Sequence, residues 1–343
     1  MSQLITSATT LLESYLSWLS SLSGELATCF LLIVFVVLSA VELNYPKRNL
    51  PLRPLRQSYQ VNASLFVFNS IIISVISASP LMMVAGYYSG RGLLSYISNP
   101  AWKVLLSFLL LDLLLYFWHR ASHSFDSLWM FHKVHHNDPY LNVSTAFRIH
   151  IIELLFITIV KTTYIMLFGV EQTMVLTNEV LLTLFIMFHH TNISFRGEKR
   201  LGQVIIVPYL HRTHHSTERN EHDTNYGAIF SLWDRLFGTF SEQVPRDIGI
   251  KNSSPQTFLG LVRFGFTPEK QVIEYELDVD IKSMIAEAAY YKAEKRAFTP
   301  GNELRDWLEA KRDIIRMVYG DKLARKQANA SVWPSLNSHC TFS

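Results

Sequence analysis

Long uncharged runs punctuate the first half of the chain. Residues 26–43 carry one charge, Glu42, near their end. About 18–20 helical residues at 1.5 Å each cross a hydrocarbon core roughly 30 Å thick. Residues 62–88 form a longer run containing Pro80. A proline removes a backbone donor and clashes with the preceding turn, so this run predicts a kinked or tilted span. Residues 101–118 form a third run, and residues 151–168 and 173–188 a fourth and fifth. The short Gly169-Val170-Glu171 connection makes the last two a helical hairpin. So many runs favour a membrane bundle over the core helices of a large soluble protein.

The flanks read differently. Residues 4–22 place Leu11, Leu12, Tyr15, Leu16, Leu19 and Leu22 at helical spacing among Ser and Thr. That pattern suits an interfacial amphipathic helix or one packed on the first span. After residue 250 the sequence turns soluble, and residues 278–326 predict two charged amphipathic helices around a Thr299-Pro300-Gly301 turn. The expected organisation is an interfacial helix over 1–25, a membrane domain over 26–245 and a soluble helical tail over 246–343.

Charge placement orients the spans. Residues 1–24 contain no Lys or Arg, so they lack the basic start of a signal peptide. The loop after the first run holds Lys47, Arg48, Arg53 and Arg56. The positive-inside rule makes that loop cytoplasmic and the N-terminus external. Counting spans forward puts Arg91 outside and returns the chain to the cytoplasmic side at His119. The hairpin leaves and comes back, so His189 and His190 arrive on that side too, and the remainder of the chain stays there.

Composition narrows the chemistry. With 49% hydrophobic and 17% charged residues the chain is neither disordered nor fibrous. Two cysteines exclude a disulfide scaffold and a four-cysteine metal site. A net charge of +3 without a long basic tract gives no reason to expect nucleic acid. The unusual figure is 13 histidines, twelve of them between His119 and His222. They fall into HxxxH (His119, His123), HxxHH (His132, His135, His136), HH (His189, His190) and a second HxxHH (His211, His214, His215). Residues three and four apart share a helix face, so each spaced group aims its rings one way. Neutral imidazole is a good ligand for iron or zinc. Nine or ten such rings suit two metals better than one. His222 and His339 read as ordinary solvated or satisfied side chains. HExxH, GxSxG, a Walker loop and a Rossmann glycine fingerprint are all absent.

These boxes, laid over apolar spans across roughly residues 53–240, resemble the sterol desaturase / fatty acid hydroxylase superfamily of integral-membrane di-iron enzymes. The flanking residues agree: Asp112-x-x-x-Tyr116-x-x-His119-Arg120, Arg148-x-His150-x-x-Glu153, His189-His190-x-Asn192, and Asp223-x-Asn225-Tyr226-Gly227 followed by Trp233-Asp234 and Phe237-Gly238-Thr239. One departure is Phe185, where acyl and ceramide hydroxylases often carry an extra histidine. The resemblance implies an all-α membrane bundle with a cytoplasmic histidine-rich di-metal cap and a helical soluble tail. It implies two iron ions, with zinc as a substitute in purified protein, and O2 as co-substrate. The implied ligands are His119, His123, His132, His135, His136, His211, His214 and His215, then His189 and His190. Asp112, Glu153, Asn192, Asp223 and Asn225 are the candidate catalytic or supporting residues. Asp112 lies two turns before His119, where a carboxylate needs a partner. It either orients a ligand ring or bonds a neighbouring helix. Lys161 either snorkels or lines a cavity.

The implied activity is O2-dependent hydroxylation of a lipid C–H bond in a sterol, fatty acyl or ether lipid. Desaturation at the same site is the alternative. A non-catalytic metal transporter or sensor is a third reading, but its ligands belong within the spans. The chain has no haem or iron–sulfur motif and no nucleotide fingerprint. Electrons must therefore come from an external donor, cytochrome b5-, ferredoxin- or rubredoxin-like with its reductase. The basic loop Lys47–Arg56 suits an acidic donor or anionic headgroups equally. The stretch AFTPGNELRDWLEAKRD is similar to a short bacterial module of unknown function, and the expected location is a bacterial inner membrane.

Overall fold

Among the described residues, every long helix before residue 200 has one end on the side of the histidines. A computed structural model describes residues 24–77, 80–251, 254–267 and 279–319. Residues 4–22 and His339 lie outside the described residues. The chain divides into two units, Met1–Glu269 and Lys270–Ser343. The first unit contains α1 (Gly24–Asn44), α2 (Leu52–Ser77), α3 (Pro80–Tyr88), α4 (Pro100–Ser124), α5 (Asp126–His136), α6 (Ile151–Phe168) and α7 (Gln172–His190). It also contains the short helices α8 (Glu198–Leu201), α9 (Pro208–His214), α10 (Arg219–His222), α11 (Leu232–Leu236) and α12 (Phe258–Phe264). The described residues contain no strand, only two isolated bridges. Helices α1, α4, α6 and α7 are long and apolar enough to cross a membrane. The fold is an integral-membrane helical bundle.

The second apolar run departs from its prediction. Its helix starts at Leu52, ten residues early, because Leu55, Ser58, Val61, Asn62, Leu65 and Asn69 form a buried stripe at helical spacing. Half of that stripe is polar, so hydropathy alone conceals it. The run is then divided between α2 and α3, and Pro80 opens the second helix, the position where a missing N–H costs least.

Tertiary contacts fix the up-and-down order. At one end, Glu42 of α1 accepts from the backbone N–H groups of Val143 (3.1 Å) and Asn192 (3.0 Å). Ser58 and Asn62 of α2 donate to Asp138, just past α5. His119 and His123 end α4, His150 caps α6, and His189 and His190 end α7. At the other end, Lys103 pairs with Glu171 at 3.3 Å. There Gly92 abuts the hairpin tip so closely that a Cβ on it would lie 2.0 Å from the Gly169 nitrogen. Gly169 itself has φ +65°, which favours glycine.

The chain beyond residue 246 does not leave this unit at once. Leu261 of α12 is buried with Val61, Leu65 and Val134. Gln256 donates to the Asn137 carbonyl at 2.9 Å, and the fully buried Lys133 donates to the Thr267 carbonyl. One short apolar heptapeptide in polar surroundings carries little sequence signal, yet it covers the back of a histidine-bearing helix. In the second unit, α13 (Val279–Lys295) and α14 (Glu303–Tyr319) form a hairpin. It buries Ile281, Ile285, Ala310 and Ile315, with Lys292–Asp313 at 2.9 Å. This agrees with the two charged helices expected around Thr299-Pro300-Gly301.

Candidate metal centre

Nine imidazoles gather into two groups. In the first, ring nitrogens of His119, His123, His132, His136 and His214 lie within 4.8 Å of one another. In the second, those of His135, His190, His211 and His215 do the same. All but His119 are buried. Each HxxHH box is split. His132 and His136 enter the first group and His135 the second, whereas His211 and His215 enter the second and His214 the first. Helix geometry explains this. Residues i and i+4 nearly eclipse, while consecutive residues point about 100° apart. The same rotation separates His190, inside the second group, from His189, which stands outside both with its ring 4.0 Å from that of His211.

The hydrogen bonds settle which nitrogen is free. His119 Nδ1 donates to the Tyr226 carbonyl (2.8 Å), His214 Nδ1 to that of Thr224 (2.7 Å) and His190 Nδ1 to that of Ile186 (2.7 Å). A carbonyl only accepts, so Nδ1 carries the proton and Nε2 the lone pair. Carboxylates do the same work elsewhere: His132 Nδ1 bonds Glu153 Oε1 at 2.5 Å, and His123 Nδ1 bonds Asp223 Oδ1 at 3.1 Å. The Nε2 atoms of His119, His132 and His214 are buried without a partner. Such orphans are costly unless a ligand takes them up.

In the second group the Nε2 atoms face each other. His190 Nε2 lies 3.1 Å from that of His135 and 2.9 Å from that of His211, which lies 3.1 Å from that of His215. Because His190 Nε2 has no proton to give, these contacts make a poor hydrogen-bond network. They make a good ligand set: nitrogens about 2.1 Å from one ion are separated by roughly 3.0–3.4 Å. Burial, reinforced by neighbouring imidazoles, pushes His135 down to about 3 and holds His136, His211, His214 and His215 well below the ordinary range. His132 is likewise pushed down to about 3. These rings are therefore neutral at neutral pH, the state in which imidazole binds a transition metal. Two all-nitrogen sites fit iron or zinc and would suit calcium or magnesium badly.

The other candidates take distinct places. Glu153 and Asp223 each bond a ring of the first group directly. Asn225 touches no ring. Its side chain ties the Leu210 and Ser241 carbonyls (3.0 and 2.8 Å), and its φ of 54° is left-handed, a conformation asparagine tolerates. The carbonyls on either side of it are those that hold His214 and His119. Asn192 is bound to the Arg48 backbone at 3.1 and 2.8 Å and so ties the exit of α7 to the basic loop. Of the two roles open to Asp112, the geometry shows the structural one. Its carboxylate accepts from the backbone of Ile229 (3.0 Å) and Phe230 (3.2 Å) and from Trp233 Nε1 (2.7 Å), and no histidine is among these partners. A two-turn offset does put Asp112 on the face of His119, but about 10 Å deeper, out of ring reach. Lys161 pairs with Glu179 of the neighbouring helix at 2.8 Å. The Thr224 and Tyr226 carbonyls and the Glu42 latch had no sequence signal beyond the Asn225-Tyr226-Gly227 segment and a lone charge at a span end.

Two substitutions separate these roles. Glu153→Gln should weaken metal retention about 10–100-fold in a chelator titration, the usual cost of losing a partner behind a ligand. Asp112→Asn should lower thermal stability by about 1–3 kcal/mol, since an amide turned toward donors leaves one unpaired. Metal content per folded molecule should stay unchanged in Asp112→Asn.

A buried, all-histidine cluster at one end of an apolar bundle is the arrangement a membrane metalloprotein would need. Residues 104–239 match the fatty acid hydroxylase family. An ornithine lipid hydroxylase of Rhizobium tropici is 34% identical over 163 residues, 46% of this chain and 49% of that protein. Alkylglycerol monooxygenases of Danio rerio and Homo sapiens are 32% and 28% identical over 148 and 145 residues, each covering 42% of this chain and 32% of the relative. The matched region thus spans half or less of these relatives. Residues 282–314 match a protein family of unknown function, DUF2934. No solved structure matches the chain.

Proposed function

We propose that this protein is a membrane-bound, O2-dependent hydroxylase of a lipid C–H bond, with two iron ions held by the two histidine groups. The observation that carries the reading is the pair of buried imidazole groups at one end of an apolar bundle. His119, His123, His132, His136 and His214 would hold one ion and His135, His190, His211 and His215 the other. His189, packed on His211, stands beside the second set. Bound iron would supply the O2 activation that breaks an unactivated C–H bond, chemistry beyond acid–base side chains. The chain's own part is to keep the ligand rings neutral and aimed, through Glu153, Asp223 and the carbonyls of Thr224, Tyr226 and Ile186. Burial of the rings also excludes water. Relatives named for ornithine lipids and alkylglycerols favour a polar-headed membrane lipid as substrate.

The chain holds no redox cofactor motif, so two electrons per turnover come from a cytochrome b5-, ferredoxin- or rubredoxin-like partner with its reductase. The histidine end also carries Lys47 and Arg48, which meet Asn192 through their backbone. With the positive-inside rule, this supports a reading in which the site and the later part of the chain are cytoplasmic and α1 enters from outside, and the reading takes the membrane to be a bacterial inner membrane.

The test is metal analysis of the purified protein alongside lipid mass spectrometry of cells with and without it. The reading expects two irons per chain and a product about 16 mass units heavier than a membrane lipid. A product about 2 units lighter would make the reaction desaturation. Reversible metal flux without O2 consumption would make the protein a carrier.

A further inference from the structure

Helix α2 presents a second lipid-facing feature, away from the histidines. A cavity of about 470 Å³ opens between α2 and α12, lined by Ala63, Ser64, Val67, Phe68, Ile71 and Phe258. The small pair Ala63 and Ser64 makes the concavity, and the Phe68 and Phe258 rings, 5.4 Å apart, close one side. At 100° per residue, Arg53, Arg56, Gln60, Ser64, Val67 and Ile71 share one face of α2. All six are exposed. The groove descends about 12 Å from Ala63 to Ile71, and Arg56 lies about 10 Å above its top.

That vertical order matches one half of a phospholipid. The headgroup layer is roughly 5–8 Å thick on each side of the hydrocarbon, within reach of an arginine that snorkels down its own stem. Neither helix brings an acid of its own to those arginines: residues 43–111 contain no Asp or Glu, and neither do residues 248–268. Leu259 of α12 is 63% exposed and Phe266, just past its end, is 57% exposed, as expected of a segment resting in the interface.

We propose that the α2–α12 groove binds an anionic glycerophospholipid of the bilayer, with its phosphate at Arg53 and Arg56 and one acyl chain along Ser64, Val67 and Ile71. The lipid sits behind α5, because Leu261 of α12 packs on Val134, the neighbour of His135. The inference rests on the membrane embedding alone and stands or falls apart from the hydroxylase reading.

The test uses the full chain as purified, reconstituted in nanodiscs of phosphatidylcholine with one fifth phosphatidylglycerol. Lipid retained after transfer to mild detergent is counted by native mass spectrometry. Wild type should retain phosphatidylglycerol over phosphatidylcholine. The double variant Arg53→Gln/Arg56→Gln should lose that preference about tenfold, since each arginine adds to anionic attraction at a membrane surface. Ser64→Trp, which fills the groove, should lower retention of both lipids. Equal retention by wild type, or an unchanged preference in the double arginine variant, overturns the proposal. So would retention of a neutral lipid, or of an acidic protein, in place of phosphatidylglycerol.

Discussion

Replacing His214 with alanine is expected to abolish lipid oxidation and to strip metal from the purified protein, while the chain still inserts in the membrane. His214 is fully buried, its Nδ1 is fixed by the Thr224 carbonyl and its Nε2 has no protein partner. The substitution deletes a donor that nothing nearby can replace. The loss should exceed the roughly 10–100-fold cost of losing a partner behind a ligand. His135→Ala should act alike through the second group. A contrast between neighbours sharpens the test: His190→Ala should lose metal, whereas His189→Ala, outside both groups, should lose far less. Metal content and lipid turnover, measured on the same preparation, check all four. Full activity with bound metal in His214→Ala or His135→Ala would remove that residue from the ligand set.

The second large effect belongs to a residue whose side chain bonds no histidine. Arg148 is fully buried and donates to the Val134 carbonyl (3.2 Å), Asn62 Oδ1 (3.1 Å), the Asn137 carbonyl (2.6 Å) and Gln256 Oε1 (2.8 Å). Its guanidinium lies 3.8 Å from Asp138. Burial works against ionising Asp138, but the Arg148 charge and bonds from Thr145, Asn62 and Ser58 overcome it and hold the carboxyl below its ordinary value. Arg148→Met leaves that carboxylate buried and uncompensated, and should cost about 3–5 kcal/mol of stability. Adding Asp138→Leu to Arg148→Met should recover part of the loss. Arg148→Lys should not rescue, because a point charge cannot reach four acceptors held in a fan. Thermal unfolding in detergent reads each outcome. The depressed Asp138 value also sets a direction with pH. Its contribution is complete above the ordinary aspartate pKa of about 4 and fades as pH falls through the lower folded value.

Much of this arrangement is written in residue spacing. The apolar runs predict α1, α4, α6 and α7, and their count brings the histidines to one end. The i, i+3, i+4 boxes announce a candidate metal centre, because a helix turns spacing into direction. The partition into two groups is less visible. His135 and His136 look like one unit in the sequence, yet a step of about 100° sends them to different groups. Backbone partners are invisible in principle, since any residue has a carbonyl. Only the left-handed turn at Asn225 explains why those of Thr224 and Tyr226 point at rings. Asp112 shows the converse limit. Its position fits ligand support, and tertiary packing gave it the Ile229–Trp233 segment instead. Glu42 and α12 were obscured because a single charge or a single short helix has no period to read.

The crossing of the two HxxHH boxes means that neither ion of the proposed pair would have a scaffold of its own. Any tilt of α5 or α9 that spoils one coordination sphere spoils the other, so the halves are interlocked like clasped fingers. Loading should then approach all-or-none, with singly occupied molecules scarce throughout a titration and no stable half-assembled centre to release a stray oxidant.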